Sequence, residues 1–172
     1  MPKVAALLLM AVLLAAPVAG AVTITLGRGV GPWRLGQKFE RAPGLLRSER
    51  HPGNDGPGCD FGPRTASRID YYRTLRLSWR GLGPRKLYLI DVATWRTGNR
   101  SGDGFVIGRS RFGEVRRAHP KAALSFPAGR FKLGRTALTL IRKTGPETWV
   151  TFTYWFNRRG RLIALETSAA GC

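Results

Sequence analysis

The fold is decided by one segment near the end of the chain, Trp149-Val150-Thr151-Phe152-Thr153-Tyr154-Trp155-Phe156-Asn157-Arg158-Arg159-Gly160-Arg161-Leu162-Ile163-Ala164-Leu165-Glu166-Thr167. Val150, Phe152, Tyr154 and Phe156 alternate with the residues between them, which predicts a strand with one buried face. Residues 157–160 are turn formers, and residues 161–167 return as a second apolar run. The segment therefore predicts an antiparallel hairpin.

Similar strand patterns occur earlier in the chain, at residues 22–26, 74–80, 87–95 and 137–141. The turn-forming residues 81–84 join two of these runs into another predicted hairpin. Helical pattern is scarce. The best candidate is residues 110–119, with Ser110 placed as a cap and Pro120 ending the run, although Gly113 lies in its middle.

The two halves of the chain resemble each other weakly. Leu35-Gly36 precedes Ile107-Gly108 by 72 positions, and residues 87–94 precede residues 162–169 by 75. In this alignment Trp79 matches Trp155 and Asp91 matches Glu166, which suggests structural roles for the two acids. We expect an α+β fold of two repeats in one compact domain, residues 22–100 and 101–172, each with a short helical segment packed on an antiparallel sheet.

Each repeat begins with a short glycine motif. The pattern Gly-x-x-x-Leu-Gly at residues 31–36, its counterpart from Gly104, and the strands after each resemble the secreted tandem-repeat proteins of the beta-lactamase inhibitor protein type and, as single units, lipoproteins of the SmpA/OmlA type. The resemblance implies one or two helices on a sheet in each repeat and a concave face that binds a protein. No inhibitory loop matches residue by residue, and the acylated cysteine of the lipoproteins has no counterpart near residue 22.

Residues 1–21 have the pattern of a cleaved, Sec-type bacterial signal peptide. Lys3 supplies the charge, residues 4–16 are apolar, and Ala19-Gly20-Ala21 is a cleavage site. The apolar run is too short to cross a bilayer, and no later stretch of the chain is long enough. We expect a secreted or extracytoplasmic protein.

Cys59 and Cys172 are the two cysteines. In an oxidising compartment an even number of cysteines predicts a disulfide, here one that closes a long loop and holds the C-terminus. The alternative is that Cys172 pairs with a second molecule.

The chain is strongly basic, with a formal net charge of +19. The charge is divided evenly between the halves, whereas binders of nucleic acid concentrate it on one face or in one run. The densest clusters are Arg116-Arg117 and Arg158-Arg159 with Arg161, while two tryptophans at segment ends are free to serve as surface platforms. The predicted partner-facing residues are Trp33, Trp95, Arg116, Arg117, Arg158 and Arg159.

Motifs for catalysis and for cofactors are missing from the sequence. It contains no G-x-S-x-G, no phosphate-binding glycine loop, no H-E-x-x-H and no C-x-x-C. His51, Asp55, Cys59 and Asp60 lie close together, but their spacing fits a turn-rich loop better than a metal site. His119, before Pro120, is expected at a helix end. We predict no cofactor, no metal and no enzymatic activity.

These observations favour a secreted, non-enzymatic and monomeric domain that binds a protein or an anionic component of the cell envelope. One alternative is a basic protein that associates with polyanions or cell wall through its arginines. Another is an exported hydrolase with an unrecognised site.

Overall fold

A computed structural model describes residues 21–52, 65–82, 87–127, 133–146 and 148–171. The strands are β1 (Thr23–Thr25), β2 (Gly29–Val30), β3 (Trp33–Arg34), β4 (Arg47–Pro52), β5 (Thr65–Tyr71), β6 (Leu75–Leu82), β7 (Leu87–Thr94), β8 (Arg100–Ser101), β9 (Ala123–Ser125), β10 (Thr136–Lys143), β11 (Thr148–Phe156) and β12 (Leu162–Gly171). The helix of the described residues is α1 (Phe112–Ala118). None of the described helical structure is long and apolar enough to span a membrane.

Eight of these strands form one antiparallel sheet in the order β4-β5-β6-β7-β12-β11-β10-β9. Each half of the chain contributes a four-stranded meander, and the two meanders meet where β7 pairs with β12. The hairpin expected at residues 149–167 is present as β11 and β12, whose register joins Tyr154 to Leu165. The hairpin of β6 and β7 joins Leu77 to Val92.

The two meanders are related by a shift of 73 residues at the centre of the sheet. One unpaired residue bulges from β7 at Ile90 and one from β12 at Ile163. Under the same shift Val92 corresponds to Leu165 and Thr94 to Thr167, so the pair Thr94–Leu165 corresponds to the pair Val92–Thr167. Ala93 and Glu166, which face each other between these two pairs, therefore lie on the approximate twofold axis that relates the two meanders. The boundary between the predicted repeats, near residue 100, stays a prediction.

This register corrects the alignment made from the sequence. Trp79 lies in the main core, whereas Trp155 lies in a small cluster on the opposite face of the sheet. The bulges pair Trp79 with Leu89 and Phe156 with Leu162, so the counterpart of Trp79 is Phe156. A shift of one residue reverses the face of a strand, which is why matching the two tryptophans was wrong.

The main core fills the space between one face of the large sheet and a second, small sheet. The small sheet has the order β3-β2-β1-β8, and its β1 and β8 are parallel. Ile24, Val30 and Trp33 from this sheet and Val115 from α1 pack on Leu77, Trp79, Leu89, Tyr154, Phe156 and Leu165 of the large sheet. Aromatic contacts tie the layers together, and Trp33 meets Trp79 edge to face at 6.0 Å.

The expected α+β class with one helix in each repeat is wrong. The described part of the chain is mostly β, with 53% of it in strands and one short helix. In the first half no helix forms among the described residues, because Pro43 cannot donate a backbone hydrogen bond and Gly44 has a φ of 80°. In the second half α1 begins after Arg111, since Ser110 Oγ accepts a hydrogen bond from the Val106 amide instead of capping the helix.

Candidate functional site

The β11–β12 turn, residues 157–160, forms the centre of the candidate site. Asn157 Oδ1 accepts hydrogen bonds from the amides of Arg159, at 2.9 Å, and Arg161, at 3.0 Å. Gly160 has a φ of 67°, a conformation that glycine adopts without strain. The asparagine therefore fixes the backbone from which three arginines, Arg158, Arg159 and Arg161, extend.

One cleft opens beside this turn. The segment before α1 runs along the start of β12, where Arg111 forms an isolated bridge with Arg161 and the Leu162 amide donates to Ser110 O at 2.9 Å. The cleft has a volume of about 390 Å³ and is lined by Arg111, Asn157, Arg159 and Arg161. Arg161 is partly anchored, since its Nη1 donates to Gly108 O at 3.2 Å.

A second cleft opens on the other side of the turn. It measures about 480 Å³ and is lined by Phe126, Pro127, Arg135, Thr136 and Arg158. The Arg135 amide donates to Phe156 O at 2.8 Å, which holds the start of β10 against the end of β11. Phe126 is 74% exposed, so this cleft combines two guanidinium groups with an accessible aromatic ring.

We call Arg111, Arg135, Arg158, Arg159 and Arg161 the arginine cluster. None of its members forms an ion pair with a described residue. Of the described acids of the second half, Asp103 contacts His119 and Glu166 contacts Arg76, whereas Glu114 lies beside the cluster and accepts a hydrogen bond from the Arg111 amide. The five guanidinium groups are therefore exposed without an ion pair to a described acid.

The other predicted partner-facing residues lie apart from this cluster. Trp33 is 9% exposed and packs in the main core, which removes it from the set of surface residues. Trp95 is half-buried, and its Nε1 donates to Arg73 O at 3.1 Å. On α1, Arg116 donates to Ala122 O at 2.5 Å, while Arg117 is exposed. The structure thus brings Arg158, Arg159 and Arg161 together with two arginines that the sequence had not grouped with them, Arg111 and Arg135.

A polar cluster around Asp103 is the first of two other candidates. Asp103 Oδ2 accepts a hydrogen bond from Tyr154 OH at 2.6 Å and lies 2.5 Å from His119 Nε2, while its other oxygen accepts from Ser101 Oγ. Burial and the hydrogen bond to Asp103 raise the pKa of Tyr154 well above its ordinary value, so this phenol stays protonated.

This cluster lacks the arrangement of a nucleophilic triad. Ser101 bonds to the carboxylate rather than to the imidazole, and it is 1% exposed. The hydrogen bonds instead attach the loop before α1 to β11. His119 does lie at the end of the helix, and it stacks on Tyr154 with ring centroids 5.7 Å apart.

The second other candidate is a buried charge cluster on the face of the sheet opposite the main core. Arg76 Nη2 lies 3.1 Å from Asp91 Oδ1 and 2.7 Å from Glu166 Oε1. Trp155 Nε1 donates to Glu166 Oε2 at 2.7 Å. Burial and the charge of Asp91 raise the pKa of Glu166 to about 8. Both oxygens of Glu166 are occupied, so the cluster crosslinks strands rather than offering a free acid.

Several predicted residues lie outside the described part of the chain. These are residues 1–20 of the signal peptide, Cys59 and Cys172 of the expected disulfide, and Asp55 and Asp60 of the loop near His51. The backbone of His51 is in β4, paired with Ser67. Among the described residues, no group of three or more histidine, cysteine or acidic side chains is placed to hold a metal.

Comparisons of the chain with protein-family models, with curated proteins and with solved structures find no match.

Proposed function

We propose that this chain is an exported, non-enzymatic binding domain whose partner carries carboxylate or phosphate groups. The observation that supports this most directly is the arginine cluster, in which five guanidinium groups flank one turn and form no ion pair with a described residue. Placing like charges side by side costs free energy in the unbound protein, and an anionic ligand recovers that energy.

The chemistry of the cluster suits such a ligand. A guanidinium group donates two parallel hydrogen bonds to a carboxylate or a phosphate, which a lysine ammonium group cannot do. The two clefts lie on opposite sides of the turn that carries Arg158 and Arg159, so an extended anion could contact both. Their described lining contains no carboxylate, histidine or cysteine, which favours binding over hydrolysis as the proposed role.

The location of this function is part of the proposal. Residues 1–21 have the pattern of an export signal. An exported basic protein meets acidic surface proteins and anionic envelope lipids, and both present the oxygen groups that arginine binds.

Binding to defined anions tests the proposal. We expect poly-L-glutamate to bind the purified protein in calorimetry, with an affinity that falls steeply as salt rises, because guanidinium contacts are screened and counterions are released. The variants R111A/R159A and R135A/R158A remove one pair of arginines from each cleft and should each weaken binding about tenfold.

The matched control is R28A/R100A, which removes the same charge from two exposed arginines of the small-sheet region. We expect a change of less than about twofold for this control. Equal losses in all three variants would show that net charge alone attracts the anion, and the proposal would fail. The same variants tested on vesicles of phosphatidylglycerol separate a lipid partner from an acidic protein.

A further inference from the structure

The last strands of the large sheet differ in length. β10 has eight residues, but its outer neighbour β9 has three and pairs only with residues 137–139. Residues 140–143 pair with β11 on one side, from Leu140–Phe152 to Lys143–Trp149. On their other side, no described residue pairs with them.

This half-strand is an open sheet edge. In a β-strand, successive residues direct their backbone groups alternately to the two sides, so part of the N–H and C=O groups of residues 140–143 point away from β11. A row of unpaired N–H and C=O groups of this kind can pair with another extended chain, which adds to the sheet as a further strand by main-chain hydrogen bonds. Ile141, in the middle of the row, is 64% exposed.

The opposite edge of the sheet is protected by its sequence. β4 reads Arg-Ser-Glu-Arg-His-Pro and pairs with β5 along all six residues. Proline and charges of both signs discourage strand addition at an edge. The open half of β10 has no proline, and its charged residues, Arg142 and Lys143, are both basic, so they discourage a basic strand but not an acidic one.

Charge decides which chain can occupy this edge. Pairing two copies of the half-strand would gather four cationic side chains, Arg142 and Lys143 of each copy, on one short edge without an acid to neutralise them, which is unfavourable. A strand with acidic side chains would instead form cross-strand ion pairs. We propose that residues 140–143 bind an extended, acidic segment of a partner protein as an added β-strand.

This surface is distinct from the arginine cluster. Arg135 and Thr136 line the second cleft at the start of β10, whereas Lys143 ends the strand. At about 3.4 Å per residue the two ends lie roughly 24 Å apart. The proposal goes beyond anion binding because it requires hydrogen bonds from the main chain of the partner.

A short synthetic peptide that alternates valine and glutamate is the probe, with binding followed by fluorescence anisotropy. The variant R142E/K143E should weaken its binding about tenfold, because attraction becomes repulsion. The matched control R47E/R50E makes the same charge change on the opposite edge and should alter binding less than about twofold. R135A/R158A should also leave the affinity within about twofold, which separates this edge from the arginine cluster.

A second peptide tests the main-chain contacts. It has the same sequence, with alternate backbone nitrogens methylated so that one edge cannot donate hydrogen bonds. We expect its binding to fall at least about tenfold. Bound unmethylated peptide should also protect the Ile141 or Arg142 amides from hydrogen exchange.

Three results would overturn the proposal. Equal binding of the methylated peptide would mean that charge acts without strand addition. Equal loss in R142E/K143E and R47E/R50E would mean that overall charge governs binding. Protection of the residue 140–143 amides in the free protein, together with a dimer in sedimentation, would mean that a second copy occupies the edge.

Discussion

Asp103 joins three parts of the structure through its side chain: Ser101 of β8, Tyr154 of β11 and His119 at the end of α1. Burial raises the pKa of Asp103, but hydrogen bonds from Ser101, Tyr154 and His119 outweigh burial and hold this pKa below its ordinary value of 3.8. A carboxylate with a lowered pKa stabilises the fold above the unfolded pKa, and this contribution is lost as pH falls through the folded pKa.

We predict that D103N lowers the free energy of unfolding at neutral pH by about 1 kcal/mol, a modest value because the side chain is partly exposed. The loss relative to wild type should shrink as pH falls below 3.8, where Asp103 of the unfolded chain becomes protonated, and vanish below the lowered pKa of the folded protein. Urea unfolding at several pH values measures this. E40Q is the control, since Glu40 is exposed and no contact of its side chain is seen. A pH-independent difference would contradict the prediction.

The arginine cluster shows how far single residues could be predicted. Arg158 and Arg159 are adjacent in the sequence, so their local charge density was visible. Arg111 and Arg135 lie 23 or more positions away from that pair, and they reach the turn only because residues 108–112 run along β12 and the start of β10 pairs with the end of β11. No sequence pattern specifies that proximity without the register of the sheet.

At the scale of elements, alternation predicted the central strands and missed the outer ones. β6, β7, β10, β11 and β12 carry apolar residues toward the main core. β5 could not be predicted in this way because its core-facing positions hold Arg68 and Asp70, which pair with Trp79 and Leu77 of β6. Arg68 Nε lies 2.7 Å from Asp70 Oδ1, and its guanidinium covers the Phe39 ring at 4.6 Å.

This buried pair gives a prediction for β5. R68M should lower the free energy of unfolding by about 3 kcal/mol, because it leaves Asp70, which is fully buried, with Ser48 as its remaining side-chain partner. The double variant R68M/D70L should recover most of that loss, since apolar side chains suit the site once both charges are removed. Thermal unfolding measures both, and a double variant less stable than R68M would contradict the prediction.

The helices show the limit of local signals. The prediction for residues 110–119 located α1 within two residues at its start, since the apolar spacing and Pro120 marked it. In the first half the same glycine motif is followed by Pro43-Gly44, and no helix forms there among the described residues. A motif copied between halves therefore does not guarantee the same element after it.

At the scale of the whole molecule, the two halves of the chain are joined where β7 pairs with β12, a boundary that we call the seam. Arg76 and Asp91 come from the first meander and Glu166 from the second, so their contacts cross that seam. Burial and the charge of Asp91 raise the pKa of Glu166 from 4.5 to about 8. A raised pKa means that the folded protein retains a proton that the unfolded chain releases.

We predict that wild-type stability declines as pH rises from 4.5 and that the contribution of Glu166 is lost once pH has passed about 8. E166Q should lack this decline, because glutamine cannot ionise, and it should keep the hydrogen bond from Trp155. Denaturant unfolding between pH 5 and pH 9 measures the slope, with E40Q as the control. Parallel slopes in E166Q and wild type would contradict the prediction.

The facing pair of Ala93 and Glu166 on the axis has a consequence for the origin of the chain. If the two meanders arose by duplication of one ancestral gene, that pair was first a residue facing its own copy. Two glutamates would repel each other there, and two alanines would leave Arg76 without its contact across the seam. On that account the present arrangement, with the acid on one side of the axis and alanine on the other, arose only after the two copies became different.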